Sequence, residues 1–251
     1  MATTFTMRVF RGGPDGGDFK EYQVEGGEGM VVLDVIHRLQ ATQANDLACR
    51  WNCKAGKCGS CSAEINGKPR LMCMTRMDIF KEGEAISVAP IRTFPLIRDL
   101  VTDVSYNYEK AKQVPPLRLK PPDADGKYRM MQEDVDRGQE FHKCIECFLC
   151  QDVCHVIRDH DLKKSFAGPR FFIKIAGLEM HPLDTRDRTQ FVREQAGIGL
   201  CNITKCCTEV CPEHIHITDN GIIPMKERMA DNFDPIVWLV RKIRGYKKAA
   251  P

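Results

Sequence analysis

The spacing of thirteen cysteines constrains this 251-residue chain more than any other feature. Cys53, Cys58, Cys61 and Cys73 read C-x4-C-x2-C-x11-C. Cys144, Cys147, Cys150 and Cys154 read C-x2-C-x2-C-x3-C, and Cys201, Cys207 and Cys211 read C-x5-C-x3-C with Pro212 behind the last. Thiolates at such short intervals converge on small volumes, which is how a chain holds metal. Cysteine content lies below the roughly 8–10% of a small disulfide scaffold. The N-terminal MATTFTMRVF has no basic start followed by an apolar core, so no signal peptide is expected. A cytosolic setting follows, where patterned cysteines bind metal or carry redox chemistry in preference to forming disulfides.

Composition supports a globular protein, with 43% hydrophobic and 28% charged residues. The length suits one large domain or two ordinary ones. No stretch approaches the roughly 18 apolar residues of a membrane span. A net charge of +3 is too mild to argue for nucleic acid as a partner. There is no Walker loop, no GxGxxG fingerprint and no nucleophile–base motif, so no active site of those kinds is expected in the chain itself.

The fold class expected is α+β. Residues 5–10 and 20–24 read as strands around a Gly- and Asp-rich turn at 12–18. Residues 31–39 carry apolar positions at helical spacing. Asn66-Gly67-Lys68 separates strand-like 62–65 and 69–72, a strong hairpin signal, and 85–89 is a last strand. That order predicts an N-terminal β-grasp, plant-type ferredoxin domain over 1–113 with a trailing helix. Residues 114–127 (VPPLRLKPPDADGK) read as an extended Pro-rich linker. Beyond it, 131–141, 144–159, 169–180 and 224–230 look helical. A mostly α-helical, bacterial-ferredoxin-like domain over 128–234 is expected, then a basic tail over 235–251.

In the run CKAGKCGSC, Gly56 and Gly59 let the loop fold tightly without Cβ clashes. Its backbone N–H groups can point at cluster sulfur and offset negative charge. Cys53, Cys58, Cys61 and Cys73 are therefore the expected [2Fe-2S] ligands at plant-type spacing. Cys49 precedes Cys53 by four and is a competitor, but a shifted register would lose the following C-x2-C. A small buried side chain is the simpler reading of Cys49. A zinc site also uses paired thiolates and is the alternative for the whole run.

The second run has bacterial ferredoxin spacing, in which the fourth cysteine ligates the other cluster. By that crossed logic Cys144, Cys147, Cys150 and Cys211 hold a [4Fe-4S] cube, leaving Cys154, Cys201 and Cys207. The middle ligand of a C-x2-C-x2-C run would fall at position 204, which is Thr204, a poor iron ligand. A [3Fe-4S] cluster with a vacant corner is expected, with capture of a fourth iron by Cys206 as the alternative.

This order of ligand sets resembles the iron–sulfur subunit of succinate dehydrogenase and fumarate reductase. The segments RWNCKAGKCGSC, NGKPRLMC, FPLIRDLVTD, KCIECFLC, FAGPRFF and CTEVCP carry the likeness over nearly the whole chain. The resemblance implies docking on a flavoprotein subunit with covalent FAD, where succinate and fumarate interconvert. It implies electron passage through the three clusters in order and on to quinone at a membrane anchor. The chain would lie peripherally on the cytoplasmic face of the cell membrane and would itself bind no dicarboxylate.

Three departures from the family's pattern bear on the quinone end. Many members have Cys-Pro where this chain has Cys154-His155, the family's nearby tryptophan is absent from 156–159, and a His of some ubiquinone enzymes is Asn202 here. His155 and Asn202 are candidate lining residues for quinone or cluster, against solvent-facing or capping roles. His214 and His216 in CPEHIHI read as surface histidines, and Lys54, Lys57 and Lys143 as solvated lysines beside cluster loops. The tail carries Arg241, Lys242, Arg244, Lys247 and Lys248 with no acid after Asp234, plus Trp238 and Tyr246. It is expected to approach a membrane surface or the anchor. A relay subunit of a soluble fumarate reductase or another flavoprotein dehydrogenase is the alternative function, and a structural zinc-binding module the remote one.

Overall fold

The computed structural model describes residues 3–81 and 83–243. Strands β1 (Thr3–Gly13) and β2 (Gly16–Gly26) pair antiparallel along their full length. They run further than their apolar residues suggest. Gly12 pairs with Gly17 and Gly13 with Gly16, so the reversal needs only Pro14 and Asp15. Along β1 the side chains alternate, Met7 and Val9 fully buried and Arg8 exposed, the period-2 signature of a half-buried strand.

Helix α1 (Val32–Thr42) buries Val32, Leu33, Val35, Ile36 and Leu39 in the same core. Strands β3 (Ser62–Ile65) and β4 (Lys68–Leu71) form the expected hairpin. Asn66 and Gly67 both have positive φ (47° and 72°), as a type I′ turn requires. Strand β5 (Ile86–Ala89) lies parallel to β1 and antiparallel to β3, giving a mixed sheet of order β2-β1-β5-β3-β4. One helix held by such a sheet is the β-grasp arrangement.

A second ladder, β6 (Leu96–Arg98) with β7 (Val101–Thr102), was not legible from periodicity because its strands are so short. It presents Asp99, which is buried with φ 49°. The Asp99 carboxylate accepts from Arg11 Nε at 3.1 Å, Gly12 N at 3.0 Å and Ala48 N at 2.8 Å. One buried carboxylate thus ties the end of β1 to the start of the first cysteine loop.

The remaining helices are α2 (Ser105–Gln113), α3 (Gln132–His142), α4 (Leu149–Asp152), α5 (His155–Arg158), α6 (Pro169–Glu179), α7 (Cys206–Glu209), α8 (Ile223–Phe233) and α9 (Pro235–Ile243). The helix expected over 144–159 is two short helices instead. Glu146 and Phe148 adopt left-handed backbone (φ 55° and 60°), and Cys154 is extended, so no continuous helix can pass. Helix α6 begins at Pro169, which suits a first helical turn.

The chain forms two compact units interleaved in sequence. One comprises Met1–Tyr106, Ile145–Val153 and Val210–Pro212; the other Asn107–Cys144, Cys154–Glu209 and Glu213–Pro251. In the second, Phe141, Phe166, Phe171, Phe172, Ile173, Ile217 and Met225 are buried.

The Pro-rich segment 114–127 has no helix or strand, yet it does not hang free. Arg188, whose side chain is fully buried, donates to the carbonyls of Pro115 and Pro116 at 2.9 Å each. It pairs with Asp184 at 2.7 Å and Glu179 at 3.2 Å. Lys120 N donates to Leu183 O at 2.9 Å and Thr185 N to Arg118 O at 2.8 Å. Proline carbonyls accept but their nitrogens donate nothing, so this stretch makes few internal bonds and takes its order from Arg188.

Candidate metal centres

The first cysteine loop fills the gap between α1 and β3. Its far ligand is placed by the hairpin: Leu33 N donates to Met72 O at 3.1 Å and Val32 N to Thr75 O at 2.9 Å. The backbone flanking Cys73 therefore serves as acceptor for the free N–H groups at the start of α1. Met72 N donates to Cys61 O at 3.0 Å and Cys73 N to Cys61 Sγ at 3.4 Å, so Cys61 and Cys73 sit side by side, both buried. At the open end, Ala55 N and Lys57 N both donate to the exposed Cys53 Sγ at 3.3 Å. Burial raises the Cys58 thiol, but the Ser60 hydroxyl and loop N–H groups outweigh it and bring it down to about 7. Deeper in the loop, burial pushes the Cys61 thiol up to about 12. N–H groups aimed at the exposed sulfur fit an anionic iron–sulfur centre.

Cys49 packs against the hydrophobic core of this unit, and burial pushes its thiol up to about 12. Its surroundings favour an inert, protonated side chain. Beside the loop, Lys54 lies over the Trp51 ring at 5.4 Å and pairs with Asp34 at 3.4 Å.

Cys147 and Cys150 are buried in the first unit. Phe148 between them packs edge-on to Phe94 with ring centroids 6.1 Å apart. Asp152 holds the following turn: Thr93 N donates to its carboxylate at 3.1 Å. Cys211 belongs to the same unit and is half-buried, and its neighbour Val210 packs against the core that contains Cys147. Cys144, at the end of α3, is half-buried in the second unit.

The third set comes together inside the second unit. Cys154, Cys201 and Cys207 line one pocket of about 300 Å³, part of it open to solvent. His155, Asn202, Thr204 and Cys206 line it too, with an apolar wall that includes Phe166 and Pro169. Burial pushes the Cys154 thiol up to about 12 and that of Cys207 to about 11. Cys207 Sγ lies 3.5 Å from the Thr218 hydroxyl, and Cys206 Sγ lies 3.3 Å from the Thr204 hydroxyl. Four cysteines line one space, the fourth, Cys206, held against the Thr204 hydroxyl, and such a set fits a cluster that itself supplies the compensating positive charge.

The strained backbone of the molecule gathers at these loops. Among the described residues nine non-glycine positions have positive φ, and five of them lie in the tight cysteine runs, between expected ligands no more than six positions apart: Lys54, Glu146, Phe148, Ile203 and Lys205. Ile203 is β-branched, for which φ 62° is costly. Alternating left-handed residues turn successive N–H groups to one side, the arrangement that binds anions.

Sequence reasoning did not find Phe166, Pro169 or Lys226. Lys226, on α8, donates to Cys201 O at 2.5 Å and is half-buried, a contact that spacing cannot reveal. His216 is exposed, as expected, and is engaged by Glu140: its backbone N–H and ring Nδ1 each lie 2.7 Å from Glu140 Oε1.

Residues 6–109 match a family model described as a 2Fe-2S iron–sulfur cluster binding domain, and residues 140–215 one described as a 4Fe-4S dicluster domain. Together with the thiolate loops they define an iron–sulfur protein that carries electrons. The chain is 33% identical over 205 residues to the fumarate reductase iron–sulfur subunit of Mycobacterium tuberculosis, covering 78% of this chain and 80% of that one. It is 30% identical over 203 residues to a fumarate reductase (CoM/CoB) chain of Methanothermobacter marburgensis, covering 81% of this chain but only 39% of that longer protein. Its fold superimposes on a solved chain of the Mycobacterium smegmatis Sdh1 complex in the apo form. There the TM-score is 0.91 at 64% identity, over 94% of this chain and all of that one. The chain belongs to the family of iron–sulfur subunits of fumarate reductase and succinate dehydrogenase.

Proposed function

We propose that this chain relays electrons between a FAD-bearing flavoprotein subunit and quinone at a membrane anchor, as part of a membrane-associated succinate:quinone oxidoreductase. Cys53, Cys58, Cys61 and Cys73 would hold the [2Fe-2S] cluster, Cys144, Cys147, Cys150 and Cys211 the [4Fe-4S] cluster, and Cys154, Cys201 and Cys207 a [3Fe-4S] cluster. Such clusters accept and release electrons singly, which converts a two-electron flavin into a stepwise donor.

The protein's part is to hold each centre and tune it. The N–H groups of Ala55 and Lys57 favour negative charge at Cys53. In the pocket, Thr204 engages Cys206, which supports keeping that thiol off the cluster. Lys226 steadies the Cys201 backbone from outside. His155 and Asn202 line the same pocket as the three cysteines, and there a hydrogen bond could reach quinone or cluster sulfur.

The observation that carries the reading is the convergence of Cys154, Cys201 and Cys207 on one pocket that Thr204 and Cys206 also line, with the Cys206 sulfur 3.3 Å from the Thr204 hydroxyl. Quinone reductase activity in His155→Ala and Asn202→Ala variants tests the quinone end. A loss of activity with all clusters retained is expected in at least one, and unchanged activity in both would remove these residues from it.

The chain would lie peripherally on the cytoplasmic face of the membrane, and of this reading α9 favours the peripheral association. Ile236, Leu239, Val240 and Ile243 are all exposed at i, i+3, i+4, i+7 spacing, so one apolar helix face is left uncovered. No described helix is long and apolar enough to cross a membrane. The basic residues from Arg244 onward lie outside the described residues. Removing 235–251 should release the complex from its anchor or membrane, and unchanged association would count against this role.

A second reading rests on the relative whose name specifies CoM/CoB in place of quinone. In it the chain serves a fumarate reductase without a membrane acceptor. The exposed face of α9 favours the quinone enzyme. Copurification with a FAD protein, with or without an anchor subunit, separates the two.

A further inference from the structure

The first cysteine loop is packed directly onto the backbone of the second. Gly59 lies between Cys58 and Cys61 with φ +68°, and a Cβ added there would stand 2.6 Å from Cys147 Cα and 2.8 Å from Cys147 N. No side chain fits, and the backbone conformation itself favours glycine. Ser62 follows Cys61 and begins β3. Its hydroxyl lies 2.8 Å from the carbonyl oxygen of Cys147, 85 residues along the chain, and 2.9 Å from that of Gly59. The hydroxyl has one proton, so it donates to one of these carbonyls at a time and bridges the two loops.

We propose that Gly59 and Ser62 are positioning residues of the relay, fixing the approach of the loop that carries Cys58 and Cys61 to the ligand Cys147 and supplying a hydrogen-bonded route between them. The inference rests on the ligand sets proposed above. Electron exchange between two centres weakens steeply with their separation, so a contact that brings one ligand loop within van der Waals distance of the next governs the rate. One electron crosses, oxidising the donor centre and reducing the acceptor. No bond is made or broken, and the Ser62 proton stays on its oxygen. Both contacts lie in one compact unit, where Ser62 anchors β3 and Cys147 precedes α4. Nothing in the hairpin register requires a hydroxyl at position 62, since the pairing of Ser62 with Leu71 is through backbone.

The test compares Ser62→Ala, Ser62→Thr and Gly59→Ala in the intact complex with three readouts: cluster content, flash-induced electron transfer between the first two centres, and amide exchange over residues 145–151. Ser62→Ala is expected to keep its clusters and their potentials, to slow that transfer several-fold, and to lower protection over 145–151 by about two- to tenfold, the equivalent of one hydrogen bond. Ser62→Thr, which keeps the hydroxyl, should restore both. Gly59→Ala should slow transfer further, and if it fails to assemble, Ser62→Ala carries the test. Altered exchange with an unchanged transfer rate in Ser62→Ala would make Ser62 merely structural and overturn the proposal. Cys147→Ser is the separate control: a full four-iron signal there would overturn the ligand assignment, and the inference with it.

Discussion

The open end of the first cysteine loop and the pocket of the second unit treat sulfur in opposite ways. At the open end of the first loop Cys53 is exposed and accepts two backbone N–H groups, and the Cys58 thiol is brought down to about 7, while at its inner end burial raises the Cys61 thiol to about 12. In the pocket of the second unit the Cys154 and Cys207 thiols are buried and raised to about 12 and 11. The open end of the first loop, at Cys58, can host negative charge before any metal arrives, whereas its buried end, at Cys61, cannot. The pocket can do so only with the metal inside it, because burial penalises the bare thiolate. Their frames differ in the same sense. A buried carboxylate, Asp99, anchors the first loop through N–H donors, whereas a buried guanidinium, Arg188, orders the second unit through carbonyls and two acids.

The largest test of this contrast is all-or-none. Cys207→Ser should abolish the centre in the pocket, whereas Cys206→Ser should leave it intact and EPR-detectable. Loss in both variants would make Cys206 a ligand.

Arg188→Ala should cost the second unit about 3–5 kcal/mol, because Asp184 would stay buried without its guanidinium and Glu179 would keep only Arg228. Asp99→Ala should cost less, about 2–3 kcal/mol, since Arg11 keeps Asp46. Thermal unfolding with amide exchange reads both. An Arg188→Ala variant as stable as the parent would break the parallel between the two anchors.

With clusters removed anaerobically, iodoacetamide at pH 7 should modify Cys58 on the order of 10²-fold faster than Cys207. Thiolate population favours Cys58, partly offset by the weaker nucleophilicity of a low-pKa thiolate. The gap should shrink about tenfold per unit as pH rises above about 8, where Cys58 is already ionised and the Cys207 thiolate is still increasing. Equal rates at pH 7, read by mass spectrometry, would erase the contrast.

The smallest effect concerns Glu140. Burial raises its carboxyl, but donors from His216 and Asn220 outweigh this and hold it below the usual range. A depressed carboxyl stabilises the fold above its unfolded pKa and loses that contribution as pH falls through the folded value. Glu140→Gln should therefore cost about 1 kcal/mol at neutral pH and flatten the acid limb of the stability profile. An unchanged acid limb would remove Glu140 from the stabilising contacts.

The β-grasp sheet was legible because alternation and the Asn66-Gly67 turn are local signals. The dicluster half was legible through spacing, which is a property of the metal centres as much as of the chain. The break in the helix over 144–159 was not, since Glu146 and Phe148 are ordinary helix residues by propensity and adopt left-handed backbone only to serve the loop. The same holds for Arg188, whose burial depends on partners far along the chain, and for Lys226 at Cys201. The convergence of Cys154, Cys201 and Cys207 was legible from the crossed ligand logic, but the apolar wall from Phe166 and Pro169 was not.

The most direct measurement is an iron and acid-labile sulfide count with an EPR redox titration on the anaerobically purified complex. The proposed ligand sets require about nine iron atoms per chain and one centre that is paramagnetic when oxidised and lost in Cys207→Ser. About ten iron atoms, with every centre paramagnetic only when reduced, would contradict a three-iron cluster in the pocket.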